Sequence, residues 1–448
     1  MAVKDLTNGR EGRLILNFAL PMLIGNVFQQ LYNVVDSIVV GNYIGKEALS
    51  AVGASFPIFY ALISLVIGLA SGTAIVISQY FGAKKYEMVQ KGADTLFILL
   101  FFAAIIVSSL GIYFIDEILQ LIDLPADVVP DAKIYLTYTL LGLLAAFGYN
   151  GTASLLRALG DSVTPLYFLI ISTITNIALD LLFVLQFNMG VEGVAIATVI
   201  SQVGAFITAI IYINRNFDIV KINFMKMKFD KKIFFKSIKV GLPAGLQQLF
   251  VAVGITAVLK IVNGFGTSVV AGYSVATRVG MFASMPAMNF AQALTAFTGQ
   301  NIGAGKINRV RKGLMSTLAM SSGISVSISL IVVFGAEQII GLFSPDPEVI
   351  RVGTEYLRIV GAFYVLFTLM FTFTGVFRGA GDTLIPMFIS LFSLWIIRLP
   401  LSYYFSEKFG ETGIWYAVPV AWAFGLILVF GYYLGGRWKR KGLVEKKK

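Results

Sequence analysis

The sequence predicts an all-α polytopic membrane protein in which twelve transmembrane helices form two six-helix bundles related by a pseudo-twofold axis. Hydrophobic residues make up 57% of the 448-residue chain and charged residues only 13%, whereas soluble domains carry about a quarter charged residues. Short motifs also occur twice along the chain at one constant spacing, which indicates duplicated halves. We therefore expect two similar sets of helices that cross a bilayer.

Four pairs of motifs carry the repeat, each pair separated by 221 positions, as from Arg157 to Arg378. The most complete pair is RALGDSVTP at 157–165 and RGAGDTLIP at 378–386. The other pairs are Gln79…Gly82-Ala83 with Gln300…Gly303-Ala304, Lys91-Gly92 with Lys312-Gly313, and Tyr135-Leu136 with Tyr356-Leu357. Duplicated halves of this kind are typical of secondary transporters, whose sites lie where the repeats meet.

Each predicted span is near or above the roughly 20 residues that cross a hydrocarbon core of about 30 Å. In chain order the spans are 14–43, 48–81, 94–122, 133–158, 164–187, 190–213, 240–263, 267–299, 314–342, 354–377, 384–406 and 411–436.

The basic residues predict the orientation. The segment 215–239 carries eight Lys and Arg residues against two Asp residues, and further basic residues lie near 84–85, 306–312 and 437–448. In the twelve-span arrangement these segments share one side, so the positive-inside rule places both termini and the linker 215–239 in the cytoplasm. We interpret the net charge of +11 as a basic surface that contacts membrane lipids, and we expect no nucleic-acid partner.

An even number of spans in each half gives both halves the same orientation. We therefore predict an amino-terminal lobe at 1–220 and a carboxy-terminal lobe at 221–448 that face a shared cleft. Pro21 lies in the first span, where a proline permits a helix to bend. We predict that Pro21 is a hinge.

The composition limits the chemistry of the protein. The sequence contains no Cys and no His, which excludes disulfides, thiol chemistry, Cys/His metal sites and histidine proton relays and leaves carboxylates as the groups that titrate near neutral pH. No nucleotide-binding loop of the Gly-x-x-x-x-Gly-Lys-Ser/Thr type is present. We expect no ATP-driven step, no cofactor and no enzymatic activity.

Two acidic residues, Asp36 and Asp180, lie deep in the first and fifth spans. A carboxylate at the centre of a membrane helix costs on the order of 2.5–3.5 kcal/mol, so its presence needs a reason. Gln29 and Asn33 precede Asp36 at spacings that place them on the same helix face, and Asn176 lies one turn before Asp180. These residues predict a polar site inside the first lobe.

The predicted site is suited to a proton or a cation. Two carboxylates in a medium of low dielectric do not both stay ionised, so Asp36 and Asp180 are expected either to share a proton or to bind Na⁺. Amide and hydroxyl oxygens, including Thr198 of the sixth span, would complete an all-oxygen shell around Na⁺. The alternative is interhelical hydrogen bonding that fixes packing, at about 0.6 kcal/mol per bond, for which ionised acids are costly.

The second half lacks these polar residues. Shifted by 221 positions, Asp36 falls on Ala257 and Asp180 on Leu401. If the acids served only to hold the helices of a bundle together by hydrogen bonds, the similar second bundle would be expected to need them too. The asymmetry therefore favours a function that resides in the first lobe.

Several residues are candidates for lining the cleft. Arg278 and Arg398, within or near spans of the second half, either bind anionic groups there or extend to the membrane interface. Met281 and Met285 lie at helical spacing, and thioethers suit flat apolar compounds, although such stripes more often serve packing. From the first half the predicted cleft residues are Tyr32 and Asn33.

Over essentially its whole length the chain resembles the multidrug and toxic compound extrusion (MATE) family. The residues that carry the resemblance are Leu20-Pro21…Tyr32-Asn33-Val34-Val35-Asp36, Gln79-Tyr80-Phe81-Gly82-Ala83, the paired loops Arg157…Gly160-Asp161…Pro165 and Arg378…Gly381-Asp382…Pro386, and Asn176 with Asp180. The resemblance implies two bundles in a V-shaped arrangement and alternating access.

The resemblance also implies the roles of individual residues. Members with an ion site in the amino-terminal lobe use residues that match Asp36, Asn176, Asp180, Gln29 and Thr198. Other members place coupling acids in the seventh and tenth helices, where this sequence has none deep in a span. Coupling is therefore expected in the first lobe.

The sequence thus predicts a secondary antiporter that exports cationic or amphipathic drug-like compounds in exchange for H⁺ or Na⁺. We expect a monomer that crosses the plasma membrane many times. The alternative is a flippase for a lipid-linked oligosaccharide from the same superfamily, in which the second-half arginines would bind phosphates.

Overall fold

The computed structural model describes residues 5–121 and 124–444, which contain helices and no β-strand. The α-helices are α1 (Glu11–Val39), α2 (Lys46–Gly82), α3 (Tyr86–Tyr113), α4 (Ile115–Leu121), α5 (Val129–Leu141), α6 (Leu143–Ala158), α7 (Val163–Leu181), α8 (Val191–Asn216), α9 (Lys231–Asn263), α10 (Thr267–Gly303), α11 (Ile307–Phe334), α12 (Ala336–Gly341), α13 (Pro347–Gly361), α14 (Tyr364–Ala380), α15 (Leu384–Leu391), α16 (Leu399–Phe409) and α17 (Glu411–Leu434). Three π-helical turns continue α1, α7 and α15, at Val40–Ile44, Leu182–Gln186 and Phe392–Arg398, and a short 3₁₀ turn lies at Arg437–Arg440.

These helices confirm a polytopic membrane fold. Within the described ranges, nine helices are long and apolar enough to cross a membrane. The pairs α5–α6 and α13–α14, bent by 51° and 50°, raise the number to eleven when each pair counts as one span. The predicted stretch 267–299 is helical throughout as part of α10 but is not among these eleven, since Gly, Ser, Thr and Asn dilute its apolar residues.

The chain forms two compact units whose boundaries differ from the predicted division at residue 220. The first unit contains residues 20–245, and the second contains residues 6–19 together with residue 246 onward. The start of α1 thus packs with the second unit, and the start of α9 packs with the first. Both transitions lie near prolines inside the helices, Pro21 in α1 and Pro243 in α9.

The basic segment 215–239, predicted as a linker, lies inside the first unit and is bound there by side chains of α3. Gln90 exchanges two hydrogen bonds with the backbone of Lys221, at 2.8 and 2.9 Å. Asp94 accepts from the backbone N–H of Lys228, and the Thr95 hydroxyl accepts from that of Asp230, each at 3.1 Å. These bonds hold the basic linker against the first unit.

The repeated Arg-x-x-Gly-Asp loops adopt the same turn in both units. Gly160 and Gly381 end α6 and α14 with left-handed φ angles of 90° and 92°, a conformation that glycine adopts without steric cost. The Asp161 carboxylate then accepts from the backbone N–H groups of Val163 and Thr164, both at 3.0 Å, at the start of α7. The duplicated motif therefore encodes a duplicated helix junction.

Candidate cation site in the first unit

Asp36 and Asp180 lie on different helices of the first unit and are both buried. Asp36, in the last turn of α1, is 7% exposed, and Asp180, at the end of α7, is 0% exposed. Each is followed within four residues by a π-helical turn. Single π turns inside α-helices are rare and are frequent at functional sites.

Asn176 and Thr198 surround the Asp180 carboxylate. With its amide oriented to satisfy both ends, Asn176 donates to Asp180 Oδ2 at 3.0 Å and accepts from the backbone N–H of Thr198 at 3.2 Å. The hydroxyls of Tyr32 and Thr198 form a hydrogen bond of 3.0 Å. These contacts connect α1, α7 and α8 through buried polar groups.

The two carboxyl groups contact each other. Asp36 and Asp180 lie close enough for their carboxyl groups to interact, and two buried carboxyl groups this close hold one shared proton more readily than two negative charges. Asp36 Oδ1 is buried and has no hydrogen-bond donor among the residues that the structure describes. A buried carboxylate oxygen without a donor is costly, and a bound cation would satisfy it.

Tyr135 of α5 is a member of this site that the sequence did not identify. Its side chain packs against the cluster that contains Val39, Val40 and Val184, which follow the two acids along α1 and α7. A tyrosine in an apolar span is common, so the residue type gave no signal. The only signal was the repeat, in which Tyr135 matches Tyr356.

Gln29, a predicted member of the cation site, and Asn33, predicted to line the cleft from the same helix face, lie outside these contacts. Gln29 is exposed and makes no hydrogen bond to any residue in the described ranges. Asn33 is half-buried and donates to Gln30 Oε1 at 3.3 Å. The structure therefore joins Asp36, Asp180 and their neighbours on α7 and α8, and leaves the upstream amides of α1 apart from them.

The predicted cleft residues of the second unit differ in exposure. Arg278 and Met281 are exposed, Arg398 is half-buried, and Met285 is buried at 9% exposure. The side chain of Met285 thus packs in the helix bundle, in line with the packing interpretation of the methionine stripe.

The second unit has no counterpart of the acid pair. Before the π turn at Val40–Ile44 the two halves are 222 positions apart, as from Pro21 to Pro243, and after it they are 221 apart. The π turn accounts for this difference, because it adds one residue to the first helix of the first half. At the spacing of 222 positions Asp36 corresponds to Val258, which is fully buried in an apolar cluster. The asymmetry inferred from the sequence holds in either register.

The donors of the first-unit site suit H⁺ or Na⁺. A proton is accommodated by the carboxyl pair alone. For Na⁺, a hard cation that prefers oxygen ligands, the available oxygens are those of Asp36, Asp180, Asn176 and Thr198. No group of three or more acidic side chains that would hold a metal ion occurs in the described part of the chain, so the ligands would be two carboxylates completed by neutral oxygens.

Comparisons with known proteins agree with this architecture. Residues 21–182 and 243–404 each match the model of the MatE family. The probable multidrug resistance protein YpnP of Bacillus subtilis (strain 168) is 32% identical over 448 residues, which cover 100% of both chains. The probable multidrug resistance protein YoeA of the same organism is 32% identical over 440 residues, covering 96% of this chain and 94% of its own. A crystal structure of MATE in the bent conformation matches with a TM-score of 0.90 at 25% identity, covering 98% of this chain and 97% of that one.

Proposed function

This chain belongs to the MatE family of multidrug and toxic compound extrusion transporters, and from that premise we propose that it exports organic, drug-like compounds in exchange for H⁺ or Na⁺ bound between Asp36 and Asp180. Its relatives in Bacillus subtilis are described as probable multidrug resistance proteins. The observation that carries the coupling proposal is the contact between two buried acids on different helices, one of which has an oxygen without a donor.

The proposed mechanism is a competition between the cation and the substrate. A cation that enters from outside neutralises the acid pair and draws α1, α7 and α8 together. The bend of α1 near Pro21 then changes, and the substrate leaves outward. One charge that crosses a potential of 100 mV supplies about 2.3 kcal/mol, which is sufficient for a coupling free energy of about 1–3 kcal/mol.

The proposed setting is the plasma membrane. We propose that both termini and the linker lie in the cytoplasm, because the basic segments follow the positive-inside rule. We also propose a monomer, because each unit carries its own helical core. No observation specifically favours the flippase alternative.

Transport in proteoliposomes tests this proposal. Export of a fluorescent cationic dye is measured under an imposed pH gradient or an imposed Na⁺ gradient, for the wild type and for Asp36→Asn and Asp180→Asn. Because coupling free energies of about 1–3 kcal/mol correspond to about 5–150-fold changes, we expect gradient-driven export to fall by at least about tenfold in both variants.

The matched control is Asp127→Asn, which removes an exposed acid of the same unit and is expected to transport at the wild-type rate. Thermal unfolding of each purified variant verifies that the protein is folded. Wild-type rates in both site variants would refute coupling through this pair.

A further inference from the structure

Arg398 is a basic residue near the middle of a membrane span. The span runs from Leu384 to Phe409, so Arg398 lies about 21 Å from one end and about 17 Å from the other at 1.5 Å per residue. Both distances exceed the reach of an Arg side chain. A charge at such a position is costly and calls for a partner.

No partner for Arg398 occurs among the described residues. Its Nε is buried without a hydrogen-bond acceptor, and no described carboxylate lies within the 4.0 Å of an ion pair. In the same unit, Glu355 and Glu411 pair with another arginine, since Arg351 contacts Glu355 at 3.0 Å and Glu411 at 2.7 Å. The half-buried guanidinium of Arg398 therefore has a buried Nε without an acceptor and no ion-pair partner within the described part of the second unit.

Two other buried donors on the same hairpin also lack an acceptor. Ser402 lies one helical turn after Arg398, on the same face. On α17, Trp415 carries an indole N–H. Both side chains are 0% exposed, and neither Ser402 Oγ nor Trp415 Nε1 has a hydrogen-bond partner within the described ranges.

The helices that carry these donors lie against each other. α16 and α17 are joined at Gly410, and a Cβ added to Gly413 would lie 2.2 Å from the Phe405 carbonyl oxygen. The Trp415 ring lies 5.1 Å from the ring of Tyr356, and Tyr356 interacts electrostatically with Arg398. Trp415 and Arg398 thus both lie near Tyr356, and Ser402 follows Arg398 on the same helix face.

This place corresponds to the acid site of the first unit. Tyr135, which packs against the cluster that follows Asp36 and Asp180, matches Tyr356 at the repeat spacing. The π-helical turn of the corresponding helix in the second unit ends at Arg398. At this place the first unit has carboxylate hydrogen-bond acceptors, whereas the second unit has hydrogen-bond donors and the positive charge of Arg398.

We propose that Arg398, Ser402 and Trp415 form a binding site for a monovalent anionic group, supplied either by a halide ion or by the carboxylate of a transported compound. A halide or a carboxylate accepts several N–H and O–H donors at once and neutralises the guanidinium. The site lies within the second unit and does not depend on cation coupling in the first.

Thermal unfolding of the purified full-length protein tests the site. In the first arm chloride replaces gluconate at constant Na⁺ and constant ionic strength, which keeps the cation site unchanged. In the second arm a fluoroquinolone carboxylate is compared with its methyl ester in gluconate buffer. We expect a saturable rise in Tm of at least about 2 °C in one arm. A rise with chloride identifies a halide site, and a rise with the carboxylate but not its ester identifies a substrate site.

Variants connect the effect to these residues. We expect Arg398→Gln to abolish the rise, and Ser402→Ala, which removes one donor and keeps the packing, to raise the half-saturating anion concentration about tenfold. Arg358→Gln removes an exposed Arg from α13 and serves as the control that keeps the wild-type response.

Two results would overturn the proposal. The first is a wild-type protein whose Tm responds neither to chloride nor to the carboxylate, which needs no variant. The second is an equal response in the wild type, Arg398→Gln and Ser402→Ala, because the anion would then act elsewhere on the protein.

Discussion

Thr198 joins α8 to two of the helices that carry the proposed cation site. Its hydroxyl bonds to the Tyr32 hydroxyl on α1, and its backbone N–H faces the Asn176 amide on α7. The hydroxyl is also one of the few neutral oxygens near the acids. In the proposed site, Thr198 therefore has two roles. It positions Tyr32 and Asn176, and it supplies a neutral oxygen that could bind the cation.

Replacing Thr198 with Val removes the hydroxyl and keeps the shape of the side chain. Because one hydrogen bond contributes about 1 kcal/mol net, we expect the cation concentration for half-maximal dye exchange to rise about fivefold, with Thr198→Ser close to the wild type. Thr208→Val on the same helix, whose hydroxyl bonds only to the Gly204 carbonyl, is the control. An unchanged cation dependence in Thr198→Val would exclude a role for this hydroxyl.

At the scale of single residues, the sequence singled out Asp36 and Asp180, which are both buried in the structure, and did not single out Tyr135 beside them. Asp36 and Asp180 were recognisable because an ionisable side chain in an apolar span needs a compensating partner. Tyr135 is unremarkable in composition and became a member of the site only through the packing of α5. Gln29 was placed in the site by its spacing from Asp36, yet its side chain is exposed.

At the scale of helices, two Gly-x-x-x-Gly motifs bring α2 and the start of α9 into backbone contact. A Cβ added to Gly68 would lie 2.4 Å from the backbone nitrogen of Gly245, and one added to Gly72 would lie 2.4 Å from that of Gly241. Small residues at this spacing let membrane helices approach closely. The crossing fixes the start of α9 on the first unit.

We expect Gly72→Ala to destabilise the protein, because overpacking a close contact costs about 1–3 kcal/mol. The measurement is Tm in detergent, together with the fraction of protein that is monodisperse. Gly53→Ala is the matched control on α2, since a Cβ there meets nothing within 4 Å. If Gly72→Ala unfolded at the same temperature as Gly53→Ala, the close crossing would not contribute to stability.

The sequence predicted where the helices lie better than it predicted their bends and π turns. Apolar length predicted nearly every span, whereas the bend of 51° between α5 and α6 lies inside the single predicted stretch 133–158. The π turns were equally hidden, because one added residue leaves hydropathy unchanged. Comparing the two halves would have found the turn at Val40–Ile44, which accounts for the change of repeat spacing from 221 to 222.

At the scale of the whole molecule, α1 begins in the second unit and continues in the first, and α9 begins in the first unit and continues in the second. In the second unit, Arg309 donates to Glu11 Oε1 at 3.1 Å and to the Gly9 carbonyl at 2.9 Å, and Lys306 donates to the Thr7 carbonyl at 2.9 Å. The sequence did not predict this exchange, because the basic residues near 306–312 were interpreted only as a membrane-facing surface.

We expect Arg309→Ala to release the segment before α1 from the second unit. The prediction is faster hydrogen exchange at residues 6–12, because the segment loses the ion pair of Arg309 with Glu11 and its hydrogen bonds to the carbonyls of Leu6 and Gly9. Arg311→Ala, at an exposed position on the same helix, is expected to leave the exchange unchanged. Equal exchange in the two variants would mean that Arg309 does not hold this segment.

The proposed function depends on a competition between a cation at the acid pair and the exported compound. The most direct measurement is the equilibrium affinity of the purified transporter for a fluorescent cationic dye, titrated with H⁺ at constant Na⁺ and with Na⁺ at constant pH. If the cation and the dye compete, the dye Kd of the wild type rises about 5–150-fold along one of these titrations. The dye Kd of Asp36→Asn and of Asp180→Asn then stays constant in both titrations. A wild-type Kd that is independent of both cations, or variants that follow the wild-type curve, would contradict the proposed competition.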